Sequence, residues 1–155
     1  MIEQELVSLL KDKQLVITTA ESCTGGMIAS RIVSVPGASA VFKEGYITYS
    51  DEVKSRVLGV KKSTLEQYFA VSAETAGEMA EGAAKIANAD IAISVTGVAG
   101  PDKEDGKPVG LVYIGCSYKG RISVREYNFT GERADIRNAA TDEALKFAAD
   151  IIKNN

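Results

Sequence analysis

The sequence predicts an α/β domain, a mixed sheet with helices on both faces. Three observations carry this. Short β-branched apolar runs alternate with helical segments through the first two-thirds of the chain, two strand-like runs near the end are separated only by Lys119-Gly120, and a long amphipathic segment closes the chain. Alternation implies parallel strands joined by helical crossovers, and a two-residue connection implies an antiparallel hairpin. At 155 residues the chain has the size of one domain.

Taken in order, Ile2, Leu6, Leu9 and Leu10 recur at helical spacing and predict a helix over 2–12. Leu15 to Thr19 is a β-branched run that reads as a buried strand. The segment AESCTGG (20–26) reads as a strand-to-helix turn, followed by a helix from Met27 to Val35 that Pro36-Gly37 stops. Phe42 to Tyr49, rich in Tyr, Ile and Thr, reads as a second strand. Ser50 is a candidate N-cap, with Asp51 and Glu52 in the first turn, where carboxylates suit the helix dipole, and Gly59 ends that short helix. Ser63 and Ser72 are two further candidate N-caps, the second opening an Ala-rich helix over 73–88. Residues 90–95 form an apolar strand, and a long loop, TGVAGPDKEDGKPVG (96–110), follows. The hairpin strands span 110–118 and 121–129. The last helix runs over 133–153 with Ile136, Ala140, Leu145, Phe147, Ala148 and Ile151 inward. The predicted order is α-β-α-β-α-α-β-β-β-α.

Composition narrows the chemistry. Lys and Arg total 18 against 21 Asp and Glu, a net charge of −3, so no broadly basic face is expected and nucleic acid is not an expected partner. No run approaches the roughly 18 apolar residues of a membrane span. The acidic, amphipathic N-terminus MIEQELVSLLKDK is unlike a signal peptide, so the expected address is the cytoplasm, with no membrane partner. There is no histidine, which excludes Ser-His-Asp and Cys-His catalysis and His-ligated zinc. Cys23 and Cys116 are too few for a four-thiolate site and are expected as reduced thiols. The acidic run Asp102-Lys103-Glu104-Asp105 reads as a solvated loop tip, so neither a metal nor a cofactor is expected. A proton carrier, if there is one, must be Lys, Asp, Glu, Tyr or Cys.

Two small-residue loops follow apolar strands, AESCTGG after the first and TGVAGPDKEDGKPVG after the third. In open α/β sheets, ligands bind beyond the carboxyl ends of the strands, so the two loops are candidates for one shared site. A loop longer than about 12 residues in a compact domain also points to function. Ser22 and Cys23 sit at the mouth of the following helix, where backbone N–H groups near Thr24, Gly25 and Gly26 could stabilise an oxyanion. On the residues alone, an N-cap is the favoured reading of Ser22 or Thr24; Cys23 is the alternative nucleophile on intrinsic reactivity. Without histidine a serine needs another base. Lys54, on the short helix after Tyr49-Ser50, can serve if burial lowers its pKa from about 10.4; otherwise it is an exposed helix lysine.

TTAESCTGG (18–26), EGYITYSDEVKSRVLGV (44–60), AVS (70–72), SVTGVAGPD (94–102), KPVG (107–110) and GERADIR (131–137) together resemble the motifs of the CinA C-terminal domain family, which includes nicotinamide mononucleotide deamidases. The resemblance runs from about Leu15 to the last helix. It implies a three-layer α/β/α sandwich with a mixed, mostly parallel sheet. In many members this domain follows a larger N-terminal one, which this chain lacks, so the chain resembles the standalone form. The resemblance further implies hydrolysis of nicotinamide mononucleotide to nicotinate mononucleotide and ammonia. Ser22 matches the family's nucleophile, Lys54 its base and Tyr49 the tyrosine of the same segment; the proton could pass from Ser22 to Lys54 directly or through Tyr49. Thr24, Gly25, Gly26, Thr96 and Gly97 fall in the binding motifs. Arg133, with Arg137 one turn on, matches the arginine expected to read the phosphate, and the N-terminus of the last helix is expected to favour the same anion. The competing expectation is a non-catalytic nucleotide-binding or regulatory domain that keeps the pocket alone. Ala- and Gly-rich helices make a homodimer the expected assembly.

Overall fold

The computed structural model describes residues 1–155. Eleven helices and strands follow one another as α1 (Ile2–Asp12), β1 (Ile17–Glu21), α2 (Met27–Val33), β2 (Tyr46–Ile47), α3 (Asp51–Leu58), α4 (Lys62–Tyr68), α5 (Ala73–Ala87), β3 (Ile91–Gly97), β4 (Leu111–Tyr118), β5 (Arg121–Asn128) and α6 (Arg133–Lys153). One five-stranded sheet has the order β2-β1-β3-β4-β5. β1 pairs in parallel with β2 and with β3, whereas β3–β4 and β4–β5 are antiparallel. Four strands therefore share one direction and β4 alone opposes them.

Helices cover both faces. Between the sheet and α1, α2 and α6 lies the main core of 26 buried side chains, including Leu6, Leu10, Ile28, Ile32, Ile93, Ile114, Ile136 and Phe147. On the other face α3 and α5 pack against Ala20 and Ala92 through Leu58, Met79 and Ala83. α5 approaches closely because its facing residues are small. A side chain on Gly82 would put its first carbon 1.8 Å from the Leu58 carbonyl oxygen, so α3 can rest on α5 only while residue 82 has none.

Three local expectations are corrected. Phe42 to Tyr49 is not a continuous strand: only Tyr46–Ile47 pairs along β1, with a single further bridge between Phe42 and Ile17. Thr18 Oγ1 donates to the Glu44 carbonyl at 2.7 Å, so a side chain takes the place of a ladder bond there. Three helices, not two, lie between β2 and β3. Ser63 caps none of them, since it lies inside α4, whose cap residue is Lys61; the Lys61 amide and the Thr64 hydroxyl donate to Glu78 of α5 instead. The cap expectations at Ser50 and Ser72 agree with the structure: each hydroxyl accepts an amide hydrogen, from Val53 and Thr75 respectively. No helix is long and apolar enough to cross a membrane.

Candidate active site

The two parallel ladders decide what surrounds Ser22. Glu21, the last residue of β1, is opposite Val95 of β3 on one side and Ile47 of β2 on the other. The Ser22 amide donates to the Val95 carbonyl, and the Thr48 amide donates to the Glu21 carbonyl. The chain leaving β2 at Tyr49 and the end of β3 at Thr96 therefore flank Ser22 directly. Ser50 then starts α3, and one turn later Lys54 points back over the same sheet edge.

Lys54 Nζ lies 3.1 Å from Ser22 Oγ and 3.0 Å from the Tyr49 carbonyl oxygen. The lysine is almost completely buried, at 1% exposure. Burial pushes its pKa below the ordinary lysine value, against the opposing pull of Asp51, Glu104 and Cys23. No carboxylate lies within ion-pair distance of it. Cys23, the alternative nucleophile, has its thiol pushed up to about 12, chiefly by burial, and stays protonated.

Tyr49 contributes differently from the relay expected of it. Its side chain is 63% exposed, and its hydroxyl accepts a hydrogen bond from Arg133 Nη2 at 3.3 Å. Only its main-chain carbonyl meets the Ser22–Lys54 pair. The phenol therefore does not lie between Ser22 and Lys54, which are in direct contact.

The pair opens on a cavity of about 390 Å³ bordered by Tyr49, Ala70, Val71, residues 96–104 and Arg133. Thr96 and Gly97 lie on its wall, with the Thr96 hydroxyl donating to the Ala70 carbonyl at 2.8 Å. Lys107 holds the same wall by donating to the carbonyls of Tyr68 and Val71. Arg133 stands at the mouth, where Nη1 donates to the Gly100 carbonyl. It forms no ion pair with Glu132 or Asp135. Asp102, Lys103, Glu104 and Asp105 are exposed, as expected of a solvated tip, and the first three also border the cavity where the loop folds back through a Glu104–Lys107 bridge. Nowhere do three or more Cys, Asp or Glu side chains group so as to hold a metal ion.

Four other site residues fall outside the cavity wall. Thr24 is fully buried and its hydroxyl donates to Glu21 at 2.6 Å. The Gly25 amide closes a turn onto the Ser22 carbonyl, and the Gly26 amide donates to Glu21, so neither is free to hold a ligand. Arg137 is half-buried and spends its guanidinium on the carbonyls of Cys23 and Thr24, at 2.9 and 3.2 Å. At the N-terminus of α6, Asp135 accepts from the Glu132 amide at 2.9 Å, so two carboxylates stand beside Arg133 at the helix start.

One residue of the site went unnoticed in the sequence. Glu21, 1% exposed, accepts from the Thr24 hydroxyl and from the amides of Gly26, Ile28 and Ala29. A buried carboxylate needs such partners, and here it caps α2, whose own cap residue Gly26 has no side chain to do so. A glutamate ending an otherwise apolar strand, just ahead of a glycine-rich helix start, was the available signal.

The sequence profile of the CinA C-terminal domain matches residues 1–152. A relative in Clostridium novyi, provisionally named a competence-damage inducible protein, is 51% identical over 149 residues, covering 94% of this chain and 36% of its own length. A CinA-like protein of Kosmotoga olearia is 52% identical over 147 residues with the same coverage. The chain thus spans about a third of the curated relatives it matches. Among solved structures, a CinA superfamily protein from Klebsiella pneumoniae superposes with a TM-score of 0.97 at 34% identity, covering 99% of this chain and 97% of that one. One from Escherichia coli superposes with a TM-score of 0.90 at 36% identity, covering 98% and 90%. On sequence and on fold alike, the chain belongs to the CinA C-terminal domain family.

Proposed function

We propose that this domain is an amidohydrolase in which Ser22 attacks a carboxamide with Lys54 as its base, and that its substrate is nicotinamide mononucleotide, converted to nicotinate mononucleotide and ammonia. The observation that carries the reading is the 3.1 Å contact between Ser22 Oγ and a buried lysine with no carboxylate partner. A lysine kept this dry and unpaired is biased toward the neutral form that can accept a proton.

The steps follow from the contacts. Neutral Lys54 takes the Ser22 hydroxyl proton as Oγ bonds to the amide carbon. The resulting ammonium gives that proton to the departing nitrogen, the C–N bond breaks and ammonia leaves an acyl-serine. Lys54, neutral again, draws a proton from water, which attacks the acyl carbon. Oγ recovers its proton from Lys54 as the carboxylic acid product separates and ionises, its remaining proton passing to water or ammonia. Base assistance of this kind contributes about 10²–10⁴-fold.

The cavity supports the substrate class. Its volume of about 390 Å³ falls in the range of small-molecule sites, roughly 300–1,000 Å³. Its charges are mixed: Asp51, Asp102 and Glu104 border it together with Lys103 and Arg133. A pyridinium nucleotide likewise carries both signs, a positive ring bearing the amide and a remote phosphate. Arginine suits that phosphate through its planar fork of donors. The test is ammonia release from nicotinamide mononucleotide by the purified protein, with Ser22→Ala as control. Release that disappears in the variant supports the reading. Nucleotide binding without release favours a non-catalytic binding domain.

A further inference from the structure

The turn bearing Ser22 leaves two consecutive peptide N–H groups, those of Cys23 and Thr24, without an acceptor. Both residues are buried, at 6% and 0% exposure, and buried backbone donors seldom go unpaired. Every neighbouring amide is committed. Ser22 donates to Val95, Gly25 to Ser22, and Met27 to Thr24, while Gly26, Ile28 and Ala29 all donate to Glu21. The α2 N-terminus is therefore closed by a carboxylate, and the spare donors are the two that directly follow the nucleophile.

The carbonyls of the same two peptides are engaged. The Ser22 carbonyl, in the peptide that carries the Cys23 N–H, accepts from Gly25 at 3.1 Å. The Cys23 carbonyl, in the peptide that carries the Thr24 N–H, accepts from Arg137 Nε at 2.9 Å. A hydrogen bond to a peptide carbonyl polarises the whole peptide and strengthens its N–H as a donor, most of all when it comes from a full positive charge. Gly25, in the left-handed region at φ +58°, completes the turn that Arg137 holds.

We propose that the Cys23 amide, which reaches the cavity wall, is the oxyanion donor for Ser22, with the Thr24 amide behind it, and that Arg137 is the positioning residue that fixes this turn by holding the Cys23 and Thr24 carbonyls. This rests on Ser22 as nucleophile but not on which amide is the substrate. It also gives a role to Arg137, which is not among the residues that border the cavity.

The experiment uses phenylmethanesulfonyl fluoride as a probe of Ser22 alone. Oγ bonds to sulfur, the S–F bond breaks with loss of fluoride, the serine proton passes to Lys54, and negative charge builds on a sulfonyl oxygen. The rate is read by intact mass for the wild type, Arg137→Lys and Arg137→Ala, each checked for fold by circular dichroism. Losing a direct oxyanion donor costs about 10²–10³-fold, so an indirect loss is expected at about tenfold. The expected result is sulfonylation about tenfold slower in both variants, partial recovery of Arg137→Ala by added guanidinium, and an equal fall in kcat on the mononucleotide with KM little changed. If Arg137→Ala does not fold, Arg137→Lys decides. An unchanged sulfonylation rate, or a loss confined to KM, overturns the proposal. A wild type sulfonylated at Ser22 that releases no ammonia overturns only the substrate reading. A wild type not sulfonylated there overturns both.

Discussion

Lys54 meets Ser22 with a main-chain oxygen, not a carboxylate, as its second partner: Nζ is 3.1 Å from Ser22 Oγ and 3.0 Å from the Tyr49 carbonyl. A neutral amine satisfies both contacts. One of its hydrogens goes to the carbonyl, and its lone pair is left to receive the serine proton. A carboxylate in place of that carbonyl would hold the ammonium charged and defeat the base.

Ser22→Ala is expected to reduce amide hydrolysis to background and leave the melting temperature close to that of the wild type, because the hydroxyl makes only long or lysine-borne contacts. Cys23→Ala is expected to keep most of the activity, since burial holds that thiol protonated. Steady-state ammonia release distinguishes the two, and the reverse pattern would transfer the nucleophile to Cys23.

The pH dependence has a definite sign. Lys54 has a folded pKa below its unfolded value of about 10.4, so the base is competent above the lowered pKa and kcat/KM should rise through it. The unfolded state binds more protons between the two values, so this residue's contribution to stability also increases with pH across that window and falls as pH drops through the folded pKa. Lys54→Arg should be nearly inactive at every pH up to 10, because arginine stays charged. Lys54→Met should be equally inactive yet melt no lower than the wild type at pH 7, as it removes a buried amine. A clear fall in melting temperature for Lys54→Met would show that the lysine serves the fold.

Arg133→Ala is expected to raise KM for nicotinamide mononucleotide about tenfold or more, in keeping with the loss of a charge-assisted phosphate contact. The already poor rate on nicotinamide riboside should hardly change. Equal proportional losses on both substrates would remove Arg133 from phosphate recognition.

Gly82→Ala tests the support beneath the base. The added carbon would collide with the Leu58 carbonyl, so α3 must move away from α5. Overpacking of this kind costs about 1–3 kcal/mol. Chemical denaturation should register that loss, and kcat should fall with it because α3 carries Lys54. Unaltered stability would mean that the two helices yield without strain.

Much of this was legible because it depends on local chemistry. Ser50, Ser72 and Gly59 announce helix ends through their own side chains or lack of one, and the hairpin at Lys119-Gly120 is set by its length. The placement of Ser22 beside Lys54 was readable only through family resemblance, since two β-ladders and a helix bring together residues 32 positions apart. The illegible parts are those in which a residue acts through its backbone or at a distance. Tyr49 contributes a carbonyl, which any residue possesses. Arg137 reaches across from α6 to the turn after β1. Residues 42–49 look like a strand because their composition suits one, but only two of them find a continuous partner along β1.

Tyr49 divides its work between two parts of one residue. The carbonyl faces the Ser22–Lys54 pair, and the exposed ring stands beside Arg133 at the cavity mouth. The two parts can therefore vary independently. A library at position 49 should yield enzymes whose ligand preferences differ widely while their response to pH stays that of the parent, making this position a natural point of entry for redirecting the domain toward other amides.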